Sequence, residues 1–221
     1  MNVHSSSRHL IQMATAKPDL PSDRRGQILQ AAMACFAKKG FHQTSMHDLS
    51  AEAGISVGLI YRYFESKDAV ISAMAEEHKK DIQSLLERAR TAPTLLDSLE
   101  ILLTAHCCEE APQMHAAFVM DLFAEASRNP RIADLVRDVI ETGMEGVTEV
   151  IARSPQFREA SHGLEAHEVT ELIFAAARGS MMRDVLERDN IPNTQRRERQ
   201  LRVVRNLWRL LFSKEADPAY A

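Results

Sequence analysis

The chain has 221 residues, 45% of them hydrophobic, and a formal net charge of −4 from 27 basic and 31 acidic side chains. This length allows one or two domains with a substantial core. The three cysteines provide no disulfide framework, and no apolar run approaches the roughly 18 residues that a membrane-spanning helix requires. Composition therefore excludes a disulfide-stabilised fold and predicts a cytoplasmic protein without a membrane segment.

The acidic balance does not by itself exclude nucleic-acid binding. Binding depends on the field at the contact surface rather than on the sum of charges. We expect four basic residues to gather on one surface while the acidic residues lie elsewhere: Arg24, Arg25, Arg62 and Lys67.

The two ends of the chain differ in composition from the rest. Residues 1–21 are polar, end in Pro18 and Pro21, and lack an apolar signal core. We expect a flexible arm there, whose Arg8 and Lys17 either reach a DNA minor groove or have no role. Residues 215–221 are expected to form a frayed tail.

The segments between the ends are typical of helices. Only 8 glycines and 8 prolines interrupt the chain, and alternating strand patterns are scarce. We predict an all-α fold of about nine helices without a sheet. The first helix follows Ser22 and ends at Lys39, and its spacing predicts a buried face. That face consists of Ile28, Leu29, Ala32, Cys35 and Phe36.

A second and a third short helix follow, joined by a tight turn. Ser45 and Asp48 have the spacing of a capping box, which starts a helix, and Gly54 is suited to end it. Ser56 can cap the third helix, whose Val57 and Ile60 point inward together with Phe64. The buried stripe of the second helix is predicted at Met46, Leu49 and Ala53.

The third helix leaves an unusual set of residues on its outward face: Gly58, Leu59, Tyr61, Arg62 and Tyr63. Tyrosine hydroxyls, lysine and exposed helix amino termini donate hydrogen bonds to phosphates, and a short helix with a small residue can approach base edges. An antiparallel helix hairpin without a DNA role is the alternative. Such a hairpin has no need of two tyrosines and an arginine on one short helix.

From about Arg24 to Met74 the sequence resembles the amino-terminal domain of the TetR family of bacterial transcriptional regulators. The resemblance includes the Thr-Ser helix start, the AGIS turn, the LIYRYF run and the SKDAV segment. It implies a helix-turn-helix (HTH) domain over residues 22–65. It also implies phosphate contacts from Thr44, Ser45, Tyr61, Tyr63 and Lys67, and major-groove positions for Ser56, Val57, Gly58, Leu59 and Arg62.

Two residues depart from the family pattern. Ser50 stands where the family usually has a packed alanine, which we expect to loosen the packing slightly. Leu59 stands where a small or hydroxylated residue is frequent, which suggests an apolar contact such as one with a thymine methyl group.

The remainder is expected to form a connecting helix over residues 66–90 and a ligand-binding and dimerisation domain over residues 91–214. Because it joins two domains, the connecting helix is where we place a conformational switch. Residues 120–136 weakly resemble the sensing domains of the betaine and glucuronide types of TetR repressor. Further helices are predicted at about 94–109, 113–128, 130–153, 165–189 and 194–213.

A small organic effector is the expected ligand of this domain, and each candidate contact has ordinary core packing or solvation as its alternative. The apolar candidates are Met114, Phe118, Leu122, Met144, Val147, Phe174 and Met181. The polar candidates are His106, His115, Asp121, Glu125 and Arg178.

The run from His106 to His115 contains several competent metal ligands. We expect no metal and no other cofactor, because neighbouring side chains on a helix diverge by about 100°. A redox role for Cys107 or Cys108 is not expected, because no basic residue adjoins them in the sequence to lower a thiolate pKa. An enzyme with His106 or His115 as its base is a further alternative, and no catalytic motif supports it.

A homodimer is expected, with an interface formed by the last two helices, as the resemblance also implies. Its residues would be Ala175, Gly179, Met182, Leu186, Leu201, Val204, Leu207, Trp208 and Leu211. We therefore predict a homodimeric repressor that binds palindromic operator DNA and is released by a small molecule. Activation and a helical adaptor are the alternatives.

Overall fold

The computed structural model describes residues 24–104, 112–160, 163–186 and 192–212. These residues form ten α-helices and no strand, which confirms the all-α prediction. The helices are α1 (Arg24–Lys39), α2 (Met46–Ala53), α3 (Val57–Tyr63), α4 (Lys67–Arg90), α5 (Leu95–Thr104), α6 (Pro112–Ala126), α7 (Pro130–Arg153), α8 (Pro155–Ala160), α9 (Ala166–Leu186) and α10 (Asn193–Phe212).

The helix that the sequence pattern did not predict is α8. Its six residues begin at Pro155, where only a break was expected. Proline is well tolerated at the first position of a helix, because the amide that it lacks has no partner there. Phe157 anchors the segment in the core, with 8% of its surface exposed. Six residues are too few to establish a helical period.

The chain divides into two compact units. The first, here called the head unit, comprises Met1–Asp81 and Cys108–Ile140, and the second unit comprises Ile82–Cys107 and Glu141–Ala221. The head unit thus contains α6 and the first part of α7 in addition to the three amino-terminal helices. This grouping was not evident from the sequence.

The core of the head unit forms around the inner face of α1. All five residues predicted for that face are buried. The Phe36 ring lies 5.5 Å from the ring of Phe41 and 6.2 Å from that of Phe118 on α6. Full burial of one such side chain stabilises the fold by about 2–3 kcal/mol. Aromatic packing therefore joins α6 to α1.

The second unit has its own core, formed by residues of α4, α5, α7, α9 and α10. Gly146 allows α4 and α7 to approach closely, since a Cβ atom at that position would lie 2.1 Å from Leu86 Cδ1. Two ion pairs at the surface link its helices, Arg90 with Glu149 at 2.6 Å and Arg205 with Glu100 at 2.8 Å. Within the described residues, no helix is long and apolar enough to cross a membrane.

Candidate nucleic-acid interface

The start of α2 is fixed by the predicted capping box. The Asp48 amide donates to Ser45 Oγ at 3.1 Å, and the Ser45 amide donates to Asp48 Oδ2 at 2.8 Å. The Lys39 ammonium lies 2.5 Å from Asp48 Oδ1. The hydrogen bond from Lys39, followed by those from Ser45, holds the pKa of Asp48 below its usual range. This network ties the end of α1 to the beginning of α2.

The turn between α2 and α3 depends on Gly54 and Ser50. Gly54 has a φ angle of 64°, in the left-handed region that favours glycine. Ser50 Oγ donates to the Ile55 carbonyl at 2.6 Å, and the Ile55 amide donates to the Ser50 carbonyl at 3.1 Å. The Ser50 hydroxyl thus forms a bond across the turn that alanine cannot make, a contact that the expectation of looser packing did not include.

Helix α3 buries one side and exposes the other. Ser56 caps it by accepting from the Leu59 amide at 3.3 Å. Ile60 is fully buried and Phe64 is 4% exposed, whereas Tyr61 is 54% exposed and Tyr63 is 45% exposed. Arg62 is also exposed. The buried side holds the helix in place, and the tyrosine hydroxyls and the guanidinium remain accessible to an external partner.

Gly58 lies on the exposed side of α3. A Cβ atom added there would meet nothing within 4 Å, and its φ angle is not in the left-handed region. Neither packing inside the protein nor backbone conformation therefore requires a glycine. A glycine weakens a helix by roughly 0.5–1 kcal/mol relative to alanine. The protein itself therefore leaves open space at this position of the exposed side of α3.

Two residues predicted to contact phosphates have contacts inside the head unit instead. Thr44 is 2% exposed, and its hydroxyl donates to the Gly40 carbonyl at 2.8 Å. The Lys67 ammonium donates to the carbonyls of Phe41 and Thr44 and lies 4.2 Å from the Phe41 ring centre. Burial lowers the pKa of Lys67. In this conformation both side chains support the turn between α1 and α2.

The arginines of α1 also have partners within the head unit. The Arg25 guanidinium lies 2.7 Å from Glu77 and 5.7 Å from the centre of the Phe64 ring. Arg24 donates to the Gln27 side chain at 2.7 Å. Arg25 thus links α1 to α4, Arg24 has its partner within α1, and Arg62 projects from α3.

The predicted effector residues do not all fall within one unit. Met114, His115, Phe118, Asp121, Leu122 and Glu125 belong to α6 in the head unit. Met144, Val147, Phe174, Arg178 and Met181 belong to the second unit. Val147 is 5% exposed and is part of that unit's core. The alternative of core packing therefore holds for Val147.

Two of the candidate effector residues on α6, Asp121 and Glu125, contact the turn between α1 and α2. Asp121 accepts a hydrogen bond from the Phe41 amide at 2.7 Å. Glu125 is 1% exposed, and His42 Nε2 lies 2.7 Å from its Oε2 atom. These two contacts were not predictable from the sequence, because acidic residues on a helix are usually solvated.

The predicted dimer residues divide into exposed and buried ones. On α9, Met182 is 55% exposed and Leu186 is 73% exposed, and Ala175 and Gly179 are exposed on the same side. Val204 on α10 is 2% exposed in the core of its own unit, so it has no surface left for a partner. The other α10 candidates, Leu201, Leu207, Trp208 and Leu211, are partly buried.

Two exposed apolar residues were missed. Leu172 on α9 is 46% exposed and Leu210 on α10 is 74% exposed. Leu172 extends the spacing of the α9 candidates to positions 172, 175, 179, 182 and 186, which repeats intervals of three and four residues. The spacing was visible in the sequence, but it does not by itself show which face of the helix is covered.

Several predictions concern residues outside the described ranges. They are the amino-terminal arm, the tail, His106, and the cysteines at 107 and 108. Among the described residues, no group of three or more histidine, cysteine, aspartate or glutamate side chains is placed to hold a metal ion.

A match to a protein family identifies the domain that contains α3. Residues 28–74 match the family described as bacterial regulatory proteins, tetR family. The chain carries a TetR-family DNA-binding domain. This match spans α1 to α3 and the beginning of α4, and it confirms the resemblance found in the sequence.

Relatives and solved structures extend the likeness beyond this domain. The fatty acid metabolism regulator protein of Bacillus subtilis is 25% identical over 149 residues, which cover 67% of this chain and 76% of that protein. The structure of Salmonella enterica GusR is 25% identical, with a TM-score of 0.66 over 89% of this chain and 99% of that one.

A second solved structure shares the fold at lower identity. Bacillus subtilis FadR in complex with stearoyl-CoA is 18% identical, with a TM-score of 0.64 over 85% of this chain and 97% of that one. The matched family consists of bacterial regulatory proteins, and the Bacillus subtilis relative is a regulator protein. The chain is therefore a DNA-binding transcriptional regulator rather than an enzyme.

Proposed function

We propose that the protein is a homodimeric repressor that binds a palindromic operator through α3 and is released by a small organic effector. The observation that carries this proposal is the exposed side of α3, which presents two tyrosines, an arginine and a glycine that nothing in the head unit requires. A glycine and donor side chains on one exposed face suit a helix that enters the major groove. Such a protein would act in the cytoplasm.

The residues divide into groove and phosphate contacts. We assign Ser56, Val57, Gly58, Leu59 and Arg62 to the major groove, in keeping with their place on α3 and its cap. We assign phosphates to Ser45, Tyr61 and Tyr63, whose polar groups are exposed. The Thr44 hydroxyl and the Lys67 ammonium hold the turn before α2, so we assign them the positioning of that helix.

The exposed stripe of α9 supports the dimer. Its residues repeat at intervals of three and four, as in a pair of helices packed along their length. Gly179 lies within the stripe, and a Cβ atom there would meet nothing within 4 Å. A second copy of α9 would cover Leu172, Met182 and Leu186, with Leu210 of α10 at the same interface. Two copies present two α3 helices, which a palindrome requires.

Release by an effector needs only a modest free energy. Weakening operator binding 100-fold requires about 2.7 kcal/mol of coupling between the effector site and the DNA site. The stearoyl-CoA complex of the FadR protein from Bacillus subtilis, which shares this fold, supports a small-molecule site in a chain of this architecture. Met144, Phe174, Met181 and Arg178 in the second unit are the proposed contacts.

The test is enrichment of genomic DNA fragments by the purified protein at about 150 mM salt, where nonspecific phosphate binding is weak. Sequencing should reveal a shared palindrome. Arg62→Glu should abolish the enrichment, and the matched control Arg158→Glu, which reverses an exposed arginine on α8, should retain it. A folded wild-type dimer that enriches no fragment would contradict the proposed function.

A further inference from the structure

The turn between α1 and α2, residues 40–44, is held by a helix outside the DNA-binding motif. Asp121 on α6 accepts a hydrogen bond from the Phe41 amide at 2.7 Å. Gly40 has a φ angle of 78°, and a Cβ atom there would lie 3.2 Å from Asp121 Oδ1. The glycine therefore provides both the left-handed backbone and the space in which the carboxylate reaches the turn.

A second carboxylate of α6 holds the next residue of the turn. Glu125 is 1% exposed, and His42 Nε2 lies 2.7 Å from Glu125 Oε2. Asn129 Nδ2 and a guanidinium nitrogen of Arg128 lie 3.4 and 3.5 Å from the same carboxylate. A buried carboxylate needs such partners, so the position of the His42 side chain is coupled to α6.

The carbonyl groups of the same turn face the Lys67 ammonium at the start of α4. Lys67 donates to the carbonyls of Phe41 and Thr44, and the turn is thus bound on its amide side by α6 and on its carbonyl side by α4. The residue after Thr44 is Ser45, which caps α2. Any shift of the turn therefore moves the start of the helix-turn-helix unit.

We propose that Asp121 and Glu125 are positioning residues for DNA binding, which set the orientation of α2 and α3 by holding the turn before α2. This role rests on the proposed function, since it concerns how the head unit fits an operator. Contacts in a recognition site depend on geometry to within about 0.5 Å. Aromatic packing of Phe36 on Phe118 joins α6 to α1 even without the carboxylates, so the variants below should keep the fold.

The role also gives α6 a direct connection to the DNA-reading helices. A displacement of α6 would be transmitted to the turn through two hydrogen-bonded carboxylates, in addition to any movement of α4. We therefore expect the carboxylates to affect specific binding, which needs a fixed geometry, far more than nonspecific binding, which depends on charge.

The experiment compares full-length Asp121→Ala, Asp121→Asn and His42→Ala with the wild type. Affinities are measured for the enriched fragment and for a scrambled fragment of equal length, alongside urea unfolding and hydrogen exchange of the segment containing Phe41. The control is Asp134→Asn, which removes an exposed carboxylate of α7 paired with Arg137 at 2.7 Å.

Asp121→Ala should bind the enriched fragment at least 10-fold more weakly, with faster exchange at Phe41. Asp121→Asn, which retains an acceptor oxygen, should recover most of the affinity, and His42→Ala should lose about 5-fold because it removes one of the two links. Affinity for the scrambled fragment and the unfolding midpoint should change little, and Asp134→Asn should match the wild type.

Three results would overturn the proposal in distinguishable ways. If wild-type protein binds the enriched fragment tightly and both Asp121→Ala and His42→Ala bind it equally tightly, the positioning role is wrong while the proposed function stands. If wild-type protein binds no fragment better than scrambled DNA, the proposed function fails, and this role fails with it. A parallel loss of binding to both fragments would show a general structural defect and would also reject the role.

Discussion

Helices α3 and α9 have similar exposed surfaces although they belong to different units. Each exposes apolar or aromatic side chains, and each contains a glycine at which a Cβ atom would meet nothing within 4 Å. Helix α3 lies within the matched DNA-binding domain, and we propose DNA as its partner. The residues matched by the family end before α9, so its partner is inferred from the chemistry of the surface.

The difference between the two helices lies in what surrounds the glycine. Gly58 has Tyr61, Arg62 and a helix cap nearby, which are hydrogen-bond donors and acceptors suited to a charged, hydrated partner. Gly179 has leucine and methionine on the same stripe, which suit a dry partner of the same kind. In our proposal, the neighbours of each glycine indicate the class of partner that approaches it.

The largest expected effect is that of a charge placed in the α9 stripe. Met182→Glu should weaken the dimer at least 100-fold, about 2.7 kcal/mol, because a buried carboxylate without a partner is unfavourable. Sedimentation velocity over a concentration series would measure the shift to monomer. Ala152→Glu, at an exposed alanine of α7, is the control and should leave the dimer intact. An unchanged Met182→Glu dimer would remove α9 from the interface.

The next largest effect concerns the glycine of α3. Gly58→Ala should stabilise the protein by up to about 1 kcal/mol, because alanine favours a helix and meets no neighbour. The same methyl group should weaken operator binding at least 10-fold by preventing close approach. Urea unfolding measures the change in stability, and a DNA titration measures the change in affinity. Tighter or unchanged DNA binding would contradict the assignment of Gly58 to the groove.

Gly54→Ala provides the matched control for this variant. It also meets no neighbour, but the φ angle of 64° makes a side chain there strained, so stability should fall by about 1 kcal/mol. Comparing the two variants separates the effect of backbone strain on stability from the effect of an added methyl group on DNA binding.

A smaller effect is expected for a single phosphate contact. Tyr61→Phe should weaken binding by about 1 kcal/mol, roughly 5-fold, for all DNA sequences alike, because it removes one donor to the backbone. Filter-binding titrations with operator and scrambled DNA would measure both affinities. Equal affinities for wild type and variant would reject the phosphate contact.

The smallest effect is a pH dependence of stability. Hydrogen bonds from Lys39 and Ser45 lower the pKa of Asp48 in the folded protein. Asp48 should therefore contribute stability above its unfolded pKa, roughly 4, and lose that contribution as the pH falls toward the folded pKa. Unfolding curves at pH 7 and pH 3 should show a smaller acid loss for Asp48→Asn than for wild type. An equal loss would contradict the role of the pair.

Local features made the DNA-binding part predictable from the sequence. The Ser45 cap, the Gly54 turn and the buried stripe of α2 follow from contacts between residues a few positions apart, and the structure confirms them. Even there, the roles of Ser50 and Thr44 were not evident, because their hydroxyl partners depend on the exact path of a turn.

Contacts between distant parts of the chain were not predictable. Asp121 and Glu125 look like ordinary surface carboxylates of a helix, and only the fold brings them to Phe41 and His42, about 80 residues away. Val204 is the opposite case, a predicted interface residue that the fold buries. An apolar residue on an amphipathic helix can belong either to the core or to an interface, and Val204 is buried in the core of its own unit.

The most direct test of the central claim is a titration of the enriched palindrome and of its isolated half-site with wild-type protein at about 150 mM salt, with stoichiometry measured in the same samples. If α9 joins two copies and each α3 reads one half, two chains should bind the palindrome, and the half-site should bind at least 100-fold more weakly. Equal affinity for both DNAs, with one chain on each, would contradict the account.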